Sequence, residues 1–172
     1  MPPSTGTIQA IFHTIFGSGT TPKLQQAGCQ LAQWTVAMCD APLLHAAGAH
    51  LLSGMLKVLR GEAAASMRVD APEAVMMRSS AYATLARLCQ RCPQHVKADT
   101  KLPSELFSAL EGEQLAARST LQEALAALAD VHARRPGGPP PPAAMLAALR
   151  ALLLTAAASS SHHSRYCAMV IE

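Results

Sequence analysis

Apolar positions along the chain recur at helical spacing and nowhere alternate as a strand would require. Between residues 73 and 132, Arg78, Ala81, Leu85 and Leu88 stand at offsets 0, 3, 7 and 10, and Arg118, Leu121, Leu125 and Leu128 repeat those offsets forty residues later. These offsets gather side chains on one face of an α-helix. A third copy, Leu24, Ala27, Leu31 and Trp34, lies 54 residues upstream of Arg78, and the loop 61–69 absorbs most of the extra length.

A period of about 40–47 residues built from helices is that of HEAT and armadillo repeats. The pattern therefore predicts an all-α fold, an α-solenoid (α-α superhelix) of about three HEAT/ARM-like helix pairs, with repeats at about 22–61, 70–112 and 113–158.

Local signals divide the chain further. Residues 7–16 carry one apolar stripe, Ile8, Ile11, Phe12, Ile15 and Phe16, and Gly17 and Gly19 end it. Thr21 is an N-cap with Pro22 at the first helical position, where its missing N–H costs nothing. The helix behind it runs to Met38, with Leu24, Ala27, Leu31, Trp34 and Met38 expected on its buried face. Asp40 caps the next helix, whose inner side reads Leu43, Ala47, Leu51, Gly54, Met55 and Leu59, and Gly61 stops it. Asp70 and Glu73 have capping-box spacing around Pro72, and the helix they start must end before Pro93. Its partner is expected over 96–110, broken or kinked near Pro103, with Leu102, Leu106, Phe107 and Leu110 inward and Gly112 as its C′ stop. A further helix is expected over 113–133. The run 134–142 (RRPGGPPPP) forbids regular structure and reads as a linker insertion. A nearly all-apolar helix is expected over 143–157, and 159–172 reads as the start of a further, truncated repeat. A solenoid needs polar terminal caps, so the chain reads as a piece of something longer.

Composition narrows the function classes. Half the 172 residues are apolar but only 3% are aromatic, which favours closely packed helices over a sheet. The net charge is +3 and scattered, so no basic footprint for nucleic acid stands out. The run 143–158 is too short and, with Arg150 inside it, too polar to span a membrane. Five cysteines are an odd number for a disulfide framework and suit a reducing compartment, the cytoplasm or nucleus.

Candidate chemistry is sparse. Cys89, Cys92 and His95 form a metal-like cluster, but a structural zinc site wants four ligands and a second pair is missing. Cys89 falls on the Leu85 face, which makes it a core residue. Arg78 and Arg118 are candidates for a basic surface ladder touching an acidic partner; otherwise each packs its stem at a repeat junction and bonds a carbonyl or an acid of the neighbouring helix. Pro136, Pro139 and Pro142 make PxxP steps without a basic anchor, as a solvated spacer would. Catalytic residues, cofactors and a metal are not expected.

The run Ala81-Tyr82-Ala83-Thr84-Leu85-Ala86-Arg87-Leu88 with Arg91-Cys92-Pro93 resembles a segment of the large proteasome adaptor and scaffold family. So do Leu106-Phe107-Ser108-Ala109-Leu110, Arg118, and Leu121-Gln122-Glu123-Ala124-Leu125. Phe16-Gly17, Thr20 and Lys23-Leu24 are similar to the family upstream, and Ser164-Arg165-Tyr166 downstream. The similarity covers roughly 16–133 and departs from the family at Ala86-Arg87 and at the Pro-rich linker. The resemblance implies a non-enzymatic scaffold of HEAT repeats that binds proteasome subunits and stabilises the association of the regulatory and core particles. The alternatives are an adaptor of another pathway, in transport or trafficking, and a small metal- or thiol-dependent protein using Cys89, Cys92 and His95.

Overall fold

The computed structural model describes residues 3–64 and 67–132. The linker at 134–142, the helix expected at 143–157 and the truncated repeat at 159–172 lie outside the described residues, as does the end of the third expected repeat. Within them the chain forms seven α-helices and one 3-10 turn, and no strand. They are α1 (Thr5–Phe16), α2 (Pro22–Met38), α3 (Ala41–Leu59), α4 (Pro72–Arg91), α5 (Pro93–Ala98), α6 (Leu102–Gly112) and α7 (Leu115–His132), with the turn at Glu62–Ala64.

Start signals act where side chains can reach the first free N–H groups. Ser4 and Thr7 form a reciprocal capping box on α1, Thr21 accepts from Leu24 N–H on α2, and Asp40 accepts from Leu43 N–H at 2.9 Å on α3. Gly61, at φ +78°, ends the α3 turn in the left-handed region that a side chain disfavours. The expected capping box on α4 does not form. Ala71 is the N-cap without a side-chain bond, because Asp70 is held by Arg68 through two bonds at 3.0 and 2.8 Å. The helix expected over 96–110, broken or kinked near Pro103, is indeed broken, into two helices that part a few residues before that proline. Pro93 opens α5 at its first position, and the break falls at Asp99, whose carboxylate accepts from the N–H groups of Lys101 and Leu102. Pro103 sits in the first turn of α6, where proline is tolerated, so the interruption is a break and not a kink. Gly112 is the last helical residue, with Glu113 as the C-cap, and α7 starts two residues later than expected.

The helices stack in two layers. α2, α4 and α7 lie side by side in that order, with α4 in the middle, while α1, α3 and α6 pack beneath them. The upper helices run parallel: Arg91, the last residue of α4, donates to the carbonyls of Val36, Ala37 and Cys39 at the end of α2. Ser79 and Thr120 join the first halves of α4 and α7 through their hydroxyls, 3.1 Å apart. α1 approaches its neighbours where they lack side chains. A Cβ at Gly28 would stand 2.8 Å from Ile15, and one at Gly54 would stand 2.6 Å from the Phe12 ring. One continuous core results, with Ile11, Ile15, Leu51, Met55, Leu85, Leu102 and Leu121 wholly or almost wholly buried.

The face expected to be buried on α2 is the exposed one. Gly28, Cys29, Ala32, Thr35 and Val36 are buried there, whereas Leu24, Leu31, Trp34 and Met38 are 48, 39, 47 and 58% exposed. The third copy of the frame is thus one of spacing alone. Leu85 and Leu128 are fully covered, Leu125 is half-buried, and Leu31 looks outward. The physical reason is size. Contact with α1 is close enough to require Gly28, so the small side of α2, with Gly28, Cys29 and Ala32, turns inward and its large side turns out.

Candidate functional site at the α4–α7 junction

Arg78 and Arg118, which share one frame position, converge on a single residue. Glu113 caps α6 at the turn into α7, and its side chain is only 3% exposed. Arg78 reaches it from α4, with Nε 3.1 and 3.0 Å from the two carboxylate oxygens and Nη2 2.9 Å from Oε1. The third guanidinium nitrogen, Nη1, donates to the Val69 carbonyl at 2.9 Å in the loop before α4. Tyr82, one turn along α4, donates its hydroxyl to Glu113 Oε2 at 2.8 Å, and Gln114 N–H donates to Oε1 at 2.8 Å. Arg118 takes the Glu113 main-chain carbonyl through Nε at 2.9 Å. One acidic residue therefore ties the loop before α4, α4 itself and the α6–α7 turn.

Burial pulls the Glu113 carboxyl toward higher pKa, but hydrogen bonds from Arg78, Tyr82 and the Gln114 N–H outweigh it and leave the group below its ordinary value. The Tyr82 hydroxyl is pushed well up by burial and by the carboxylate it bonds. Both groups thus keep the forms that the network needs, ionised glutamate and neutral phenol. A planar guanidinium on a carboxylate is the pairing arginine makes best, and the buried setting keeps it from being screened. The arrangement holds two helices in register. A cavity of about 120 Å³ next to it is lined by Val58, Leu59, Met67, Met77 and Arg78.

The Cys89, Cys92 and His95 cluster is dispersed into structural roles. Both cysteines are buried free thiols, and burial pushes the Cys89 thiol up to about 12. A neutral thiol is a poor nucleophile. His95 turns to α3, with Nε2 2.9 Å from the His45 carbonyl and its ring over Gly48. Among the described residues no three His, Cys, Asp or Glu side chains come together as a metal site. No helix among them is long and apolar enough to cross a membrane.

Sequence reasoning found Arg78 and Arg118 but missed Glu113 and Tyr82. The signal was thin: one acid at a helix-to-helix turn, and one tyrosine in a run of Ala and Leu.

Parallel helices stacked in two layers with repeating junctions define an all-α helical-repeat protein of the solenoid class. Residues 3–171 match the family described as proteasome component ECM29, N-terminal, and the chain belongs to that family. It is similar to the human proteasome adapter and scaffold protein ECM29, with 26% identity over 130 residues, 76% of this chain. The chain spans 7% of the length of that relative. No solved structure matches it.

Proposed function

We propose that this chain is a scaffold segment that binds the proteasome through its helical stack and stabilises the association of regulatory and core particles, without catalysis of its own. The observation that carries this reading is the family match over residues 3–171, on a chain whose buried network around Glu113 is a helix-to-helix clamp. A solenoid binds by many modest contacts along an extended surface, and its junctions set the shape of that surface. Pinning α4 to the α6–α7 turn through Glu113 gives such a surface a fixed pitch. The working compartment is the cytosol or nucleus, in keeping with the buried free thiols Cys29, Cys39, Cys89 and Cys92.

Native electrophoresis with purified proteasome tests the proposal. The 172-residue chain should migrate with particles carrying both regulatory and core components, and should slow their separation on dilution. A chain that runs apart from the particles, even when in large excess over them, overturns the reading.

A further inference from the structure

We propose that the outward stripe of α2 is a self-association surface, occupied by α2 of a second copy of this chain lying antiparallel across it. Leu24, Ala27, Leu31, Trp34 and Met38 occupy offsets 0, 3, 7, 10 and 14, a single helix face, and all five are exposed. The four large side chains leave on the order of 400 Å² of apolar surface, within the range of the largest patch on a typical monomer, which is often a functional one. Gln26, Gln30 and Gln33 flank the stripe, and Lys23 is the only charged residue of the helix.

The stripe is complementary to itself. An antiparallel pair with its two-fold axis at Leu31 sets Leu31 on Leu31 of the second copy, and Leu24 on the second copy's Met38. It also sets Ala27, the one small residue, against the second copy's Trp34, the largest. Alternation of large and small across facing positions is what lets two helices close. The ends match as well. Lys23 comes beside the second copy's Asp40, which is exposed at the start of α3, whereas a parallel pair would set Lys23 against Lys23. A lysine in the first turn of a helix opposes the helix dipole, so its position is not explained by the stability of α2. Alignment of opposite charges at the two ends of the stripe favours a second copy over an unrelated helix. The apolar area is about half of the roughly 800 Å² per partner that stable complexes bury, so the dimer is weak and concentration-dependent.

Trp34 is the only tryptophan in the chain, so its fluorescence reports on the stripe directly. Sedimentation equilibrium from about 5 µM to about 1 mM should show the mass rising from 18.0 kDa toward twice that value, with Trp34 emission shifting to the blue in step. Leu31→Glu places two carboxylates on the axis and should weaken the dimer at least tenfold, with helicity unchanged because Leu31 is exposed. Lys23→Glu should weaken it severalfold while raising the monomer's thermal midpoint, since an acid in the first turn favours the helix. That opposite movement separates lost association from lost folding. A chain that stays monomeric throughout, or a dimer indifferent to Leu31→Glu, overturns the proposal. So does a stripe that becomes shielded only when purified proteasome is added.

Discussion

α4 and α2 belong to the same layer, run parallel and carry similar Ala/Leu patterns, yet they are held in different ways. α4 has a neighbour on each side, and from Ser80 to Ala86 every residue is buried. Its junction with α7 adds a buried ion pair that takes a hydroxyl, a main-chain N–H and a loop carbonyl into one network. Among the described residues α2 has a neighbour in the layer, α4, on one side only. Its polar tie to α4 is Arg91 on carbonyls at the helix end, and its large apolar residues face outward. Burial in a stacked repeat is therefore set by how many neighbours a helix has, and a shared spacing does not make two positions equivalent.

The sharpest way to break this contrast is to remove its polar centre. Glu113→Ala leaves Arg78 with no carboxylate and the Tyr82 hydroxyl with no acceptor in a buried place, and should cost about 3–5 kcal/mol. Denaturant unfolding followed by circular dichroism measures it. A loss below about 1 kcal/mol would mean that the α4–α7 junction rests on apolar packing alone.

Next in size is the apolar centre of α4. Leu85, with no exposed surface, should cost about 3 kcal/mol on truncation to alanine, through lost burial and the cavity left behind. Midpoint shifts in the same unfolding experiment report it. A near-neutral Leu85→Ala would remove the distinction between a helix with two flanks and one with a single flank.

A smaller effect follows from acid. The folded-state pKa of Glu113 lies below its ordinary value, so the stability that this group contributes is fully present above the unfolded pKa. It is lost as pH falls through the folded value. The parent chain should therefore lose more stability than Glu113→Gln from about pH 5 downward, because the amide has no proton to gain. Parallel slopes for the two proteins would show that Glu113 titrates as it would in the unfolded chain.

Much of this was legible in the sequence, for identifiable reasons. The helices at Pro22–Met38 and Ala41–Leu59 follow from caps and stops that act within a few residues, α1 follows from its apolar stripe and glycine stop although it starts two residues earlier than expected, and the all-α class follows from periodicity alone. Leu102, Leu106, Phe107 and Leu110 were recognisable as core because α6 is short and has one apolar face. What failed depends on tertiary neighbours. The choice between two possible inner faces of α2 was made by the close approach of α1 to Gly28, which periodicity does not encode. Asp70 was drawn from its expected capping role by Arg68, and Glu113 reads as an ordinary first-turn acid until Arg78 and Tyr82, more than thirty residues away, are brought beside it. The sequence supplied Arg78 and Arg118 as a pair but not their shared target.

The smallest expected effect separates spacing from structure most cleanly. Leu31, Leu85 and Leu125 hold the same place in the sequence frame, so a frame that described burial would give similar losses on truncation to alanine. The structure instead orders them, with Leu85 fully buried, Leu125 half-buried and Leu31 39% exposed. Leu31→Ala should change the stability of the monomer by no more than about 0.5 kcal/mol, the range of exposed substitutions away from special features. Leu125→Ala should fall between the two. The comparison is made in dilute solution, where α2 has no second copy against it, so that any contribution from association is absent. A loss for Leu31→Ala equal to that of Leu85→Ala would put the large side of α2 in the core and bring the three helices back into one frame.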